Sequence, residues 1–78
     1  MLRLELARNT VNEVVYNYFP EQENKYGSIT INEDTGNIID FKIASNDKHR
    51  RYFQHAIARI EKYIENKSYQ EKDVVAWY

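Results

Sequence analysis

Lys48 to Lys62, KHRRYFQHAIARIEK, gathers five basic residues, two histidines and two aromatics into fifteen positions. Such a mixture has two chemical uses: clustered positive charge attracts phosphates, and imidazoles ligate metals. Laid on a helix at ~100° per residue, the stretch divides. Phe53, Ala56, Ile57, Ile60 and Ile64 form a narrow apolar stripe, while Arg51, His55, Arg59 and Lys62 project to the other side. Arg51, His55 and Arg59 follow one another at i+4, so like charges stack along a ridge, a mildly destabilising arrangement that an anionic partner would relieve. Glu61 and Glu65 flank the ridge, and Asp47 stands four residues before Arg51, ready to pair. That company favours an ordinary solvated helix face over an anion-binding ridge. The histidines are six residues apart, ~120° around a helix, whereas ligation from one helix needs i+3 or i+4. His49 reads as a boundary residue near Tyr52 and Phe53, and no metal site is expected.

Other chemistry is sparse. Asn32-x-Asp34-x-Gly36 has a misplaced glycine and lacks the distal glutamate of a calcium loop, so it reads as a turn. Asn66-Lys67-Ser68 fits a glycosylation sequon, which has meaning only in a secreted chain. The glycines, Gly27 and Gly36, are isolated and cannot build a phosphate loop. Ser28, Ser45 and Ser68 fall in strand, cap and tail contexts rather than a strained elbow. Acids are plentiful, but a small single-layer fold has little room for a closed, dry site. The expectation is a protein without catalytic activity and without a cofactor.

The elements that must carry these residues come from patterning. Leu2 to Leu6 alternates apolar and charged residues, the mark of a half-buried strand. Val14 to Phe19 is β-branched and aromatic and stops at Pro20, which cannot donate to a ladder. Tyr26 to Asn32 and Ile38 to Ala44 alternate again, with Ile29, Ile31, Ile39, Phe41 and Ile43 expected on the core face. Between them, Asp34 can cap a tight turn and Gly36 can take a positive φ. Ser45, Asn46 and Asp47 are N-capping residues, so a helix is expected to begin there and run to Asn66. The reading is one α+β domain over residues 1–78. It comprises a four-stranded antiparallel β-meander (2–8, 13–19, 26–32, 37–44), one long helix (47–66) packed on one sheet face, and a short docking tail (73–78).

Composition bounds the setting. Seventy-eight residues make one domain of modest stability, burying only ~60% of the unfolded chain's surface. Having no cysteine, the chain has no disulfides or thiolate sites, and a domain this small without them suits a reducing interior. No apolar run or signal core is evident, so a cytoplasmic location is expected. Phe, Tyr, Met, Ile, Asn and Lys supply 33 residues, a bias that the AT-rich codons of a bacterium or phage would encode. The net charge of −1 conceals an asymmetry: residues 1–40 carry three basic and seven acidic side chains, residues 41–78 eight and five. Complementary halves favour internal packing or self-association over an acidic partner.

The remaining surplus is aromatic: seven tyrosines and one tryptophan. One helix covers one sheet face, so aromatics on the other face, or in the Trp77-Tyr78 tail, become contact candidates. Tyr16, Tyr18, Trp77 and Tyr78 are the expected partner-binding residues of a small, self-associating protein-interaction module, with a homodimer adding buried area. The alternative is a weak nucleic-acid binder using Arg50, Arg51, Arg59 and Lys62. The acidic strand half disfavours base stacking on the sheet, because phosphates need basic residues around the platform.

Overall fold

The computed structural model describes residues 1–21 and 23–76. Its elements run β1 (Leu2–Asn9), β2 (Glu13–Pro20), β3 (Gly27–Asn32), β4 (Ile38–Lys42), α1 (Arg51–Asn66) and β5 (Lys72–Val75). The five strands form one antiparallel sheet in the order β4-β3-β2-β1-β5. The class is α+β, as the alternating sequence pattern implies, but the sheet has one strand more than expected. Residues 72–75, which overlap the docking tail expected over 73–78, pair with β1 in register from Leu2↔Val75 to Glu5↔Lys72.

The helix lies over β1, β2 and β5. Beneath it, Leu2, Leu4, Val14, Tyr16, Tyr18, Ile29 and Ile31 are buried, and Ala56, Ile60 and Tyr63 come down from the helix to meet them. Phe53, Ile57 and Ile64 of the sequence-derived stripe pack at its margin. Because the helix sits over the β5 side of the sheet, the far edge is left uncovered. Ile39 and Phe41, expected in the core, are about half exposed, at 52% and 48%.

Two local features fix this frame. Gly27 lies where β2, β3 and the end of β4 converge: a Cβ there would collide with the Lys42 carbonyl, the Tyr18 ring and the Ala44 amide. Between β3 and β4 the capping residue is Asn32 rather than Asp34. Its Oδ1 accepts the N–H groups of Asp34 at 2.9 Å and Thr35 at 3.2 Å, and Gly36 takes φ 76°. Short polar side chains satisfy turn amides in this way, and glycine adopts positive φ without steric cost.

The helix starts at Arg51, four residues later than the capping cluster suggests, yet Asp47 caps it. Its buried carboxylate accepts the N–H of Tyr52 at 3.2 Å and of Phe53 at 2.9 Å, and the Tyr18 hydroxyl at 3.1 Å. The chain makes room with a turn through Arg50 at φ 57°. Asp47 is therefore directed at the helix amides and Tyr18 rather than at Arg51.

Candidate functional site

The residues expected to bind a partner or an anion are dispersed. Tyr16 and Tyr18 are 0% exposed and belong to the core. Alternation gave β2 two faces, and the helix covers the tyrosine face because each hydroxyl finds a partner there. Tyr16 donates to the Gln70 carbonyl at 2.6 Å, and Tyr18 donates to Asp47 while accepting the Ala44 N–H at 2.9 Å. Burial, aided by the Asp47 hydrogen bond, pushes the Tyr18 pKa up to about 12, and burial raises Tyr16 as well. Trp77 and Tyr78 lie outside the described residues.

On the open sheet face, Phe19 takes the place envisaged for the tyrosines, but it is half-covered. The Arg3 guanidinium stands 4.2 Å over its ring, Tyr26 packs at 5.1 Å between centroids, and Arg3 Nε pairs with Glu5 at 2.9 Å. A cation on an aromatic face and a short ion pair close this surface from within.

The basic ridge is interrupted. Arg51 and Lys62 are exposed, His55 is half-buried, and Arg59 pairs with Asp73 of β5 at 3.0 Å. Tyr63 donates its hydroxyl to the same Asp73 oxygen, and burial with this hydrogen bond raises its pKa. The middle of the ridge is thus neutralised by a strand that sequence patterning did not reveal. Among the described residues, no group of three or more His, Cys, Asp or Glu converges as a metal site would require.

What the fold does assemble is the β4 edge. Every residue from Ile38 to Lys42 is exposed, and Ile38 (42%), Ile39 (52%) and Phe41 (48%) are apolar. A register shift between Thr30 and Ile31 makes Ile39 the extra residue of a bulge. Phe41 reaches Phe53 of the helix at 5.1 Å between ring centroids. Ile38, Ile39, Asp40, Phe41 and Phe53 line a shallow groove of roughly 330 Å³.

The backbone of this edge is directed outward. In an antiparallel sheet each residue turns its N–H and C=O to one side, and successive residues alternate. Leu6 gives its N–H to the Glu71 carbonyl beside β5, and Pro20, which has no N–H, stands opposite Leu2. Leu2, Leu4 and Leu6 thus turn towards β5, and the alternation propagates through the registers of β2 and β3 to β4. Asp40 and Lys42 bond inward to β3, and Phe41 points its amide away from the sheet. That N–H is held by the Asp40 side chain, Oδ1 at 2.9 Å.

The opposite edge repeats the device. By the same alternation Val74 of β5 faces outward, and Asp73 Oδ1 accepts its N–H at 2.8 Å. There the other carboxylate oxygen is anchored by Arg59 and Tyr63. Asp40 has no second anchor among the described residues, so its cap is releasable. Edges need such management because open N–H and C=O rows template further pairing. One edge is locked; the other is latched.

No protein-family model, curated protein or solved structure matches this chain, so its functional reading rests on this geometry.

Proposed function

We propose that this chain is a small, non-catalytic protein-interaction module of the cytoplasm, which accepts an extended segment of a protein partner along β4. The observation that carries the reading is the coincidence, on one free edge, of an outward backbone and an apolar groove lined by Ile38, Ile39, Phe41 and Phe53. Strand addition draws affinity from main-chain hydrogen bonds and specificity from pockets for alternate side chains, and β4 offers both. Sequence patterning points to self-association through an aromatic sheet face or the C-terminal tail; burial of Tyr16 and Tyr18 leaves Phe41 with Phe53 as the better-supported aromatic surface of the sheet.

The competing reading, a weak nucleic-acid binder on the ridge of Arg51, His55, Arg59 and Lys62, has less support because Arg59 is already paired with Asp73. A library of extended peptides selected on the immobilised protein tests the proposal. Bound peptides are expected to be lost on Ile39→Lys/Phe41→Lys and kept on Arg51→Glu/Lys62→Glu. The opposite pattern, with binding that falls steeply as salt is added, would overturn it in favour of the ridge.

A further inference from the structure

We infer that the segment accepted by β4 is β4 of a second copy, paired antiparallel about a two-fold axis through Phe41; this rests on the edge reading above and names its occupant. Charge selects the register. Asp40 and Lys42 share the open side of the strand, on either side of Phe41, and neither has an ion-pair partner among the described residues. A two-fold centred on Asp40 would place Asp40 against Asp40, and one centred on Lys42 would place Lys42 against Lys42. Centred on Phe41, it places Asp40 opposite Lys42 of the other copy, twice. Directly opposed unlike charges stabilise a strand pair, and like charges destabilise it.

The same register suits the backbone and the groove. Phe41 faces outward, so the two Phe41 residues exchange N–H···O=C bonds across the axis, as paired residues of an antiparallel ladder do. Forming them displaces Asp40 from the Phe41 N–H, and the freed carboxylate meets the opposing Lys42. The cap that discourages indiscriminate pairing thereby opens for a strand that brings a lysine to this position. On the helix side, the two Phe41 rings meet beside both Phe53 rings, and the apolar groove of each copy is closed by the other. The symmetric contact joins two five-stranded sheets into one and leaves no further β4 edge.

Charge exchange at two exposed positions tests this without touching the core. Light scattering and sedimentation equilibrium of the wild type over a range of concentrations should show a monomer–dimer equilibrium. Asp40→Lys and Lys42→Asp, each alone, set like charges opposite and should weaken it by about tenfold to a hundredfold. An equimolar mixture of the two variants should recover dimers, because every opposed pair is then unlike. The double variant D40K/K42D should recover them alone. Circular dichroism checks that all variants remain folded. A wild type that stays monomeric overturns the second-copy inference while leaving the strand-addition reading to the peptide selection. A dimer unaffected by either single variant, or a mixture that fails to recover, overturns the Phe41-centred register.

Discussion

Replacing Asp47 by alanine should cost this protein a large part of its stability. The carboxylate accepts two helix amides, from Tyr52 and Phe53, and the hydroxyl of buried Tyr18. Losing the cap costs about 1 kcal/mol or somewhat more. The Tyr18 proton is then left buried without an acceptor, a penalty of ~1–3 kcal/mol, although the hydroxyl still accepts from Ala44. The sum is about 2–4 kcal/mol, against a total of ~4–12 kcal/mol for a domain of this length. At ~4–8 °C per kcal/mol, Tm should fall by about 8–30 °C. Urea denaturation followed by far-UV circular dichroism measures the loss, and Asp47→Asn, which keeps one acceptor oxygen, should show an intermediate effect. A double-mutant cycle with Tyr18→Phe should reveal coupling of ~0.5 kcal/mol or more. A loss below ~0.5 kcal/mol, the scale of ordinary surface substitutions, or an additive cycle, would refute the assignment of Asp47 as cap and tyrosine anchor together.

Other consequences follow from the same frame. Gly27→Ala should destabilise by about 1–3 kcal/mol, because the added methyl meets the Lys42 carbonyl and the Tyr18 ring, and β4 must shift to admit it; a neutral urea midpoint would contradict the close approach. Tyr16, Tyr18 and Tyr63 all have pKa values raised above the ordinary 10, chiefly by burial. Neutral tyrosine is thus favoured by the fold, so stability is fully present below pH 10 and is lost as pH rises through the folded-state values. Between pH 10 and 12 the loss should approach at most about 1.4 kcal/mol per pH unit for each such tyrosine, so a urea midpoint unchanged from pH 9 to 11.5 would contradict their burial. Tyr63→Phe removes one of the two anchors on Asp73 and should speed amide exchange at Val74, whereas Tyr26→Phe, exposed on the far side, should not.

Much of the frame is legible from local pattern, because β1, β3 and β4 alternate, β2 is a β-branched and aromatic run closed by Pro20, and α1 carries a local apolar stripe. What alternation leaves undecided is which face of each strand receives the helix. Tyr16 and Tyr18 take that face through hydroxyl partners at Gln70 and Asp47, which are 54 and 29 residues away in sequence. Strand β5 is obscure for a similar reason: Lys72-Asp73-Val74-Val75 is too short to show a period, and it becomes a strand by pairing with β1. Ile39 and Phe41 look like core residues because their pattern matches that of Ile29 and Ile31. They are exposed because the 16-residue helix lies over β1, β2 and β5 and extends only the Phe53 ring to Phe41 at the margin of the outer strand. The sequence does contain a sign of the edge, in the Asp40-Phe41-Lys42 triplet, whose self-complementarity acquires meaning only once β4 is known to be an edge.

The central claim is that the chain meets its partner, a second copy, along the outward side of β4. Amide hydrogen exchange by NMR at increasing protein concentration tests it at the atoms concerned. Phe41, whose N–H points away from the sheet, and Ile43, which alternation also turns outward, should exchange progressively more slowly as dimers form. Val74, on the locked edge, should not change. Phe41 exchange independent of concentration, or protection that grows at Val74 instead, would contradict the account.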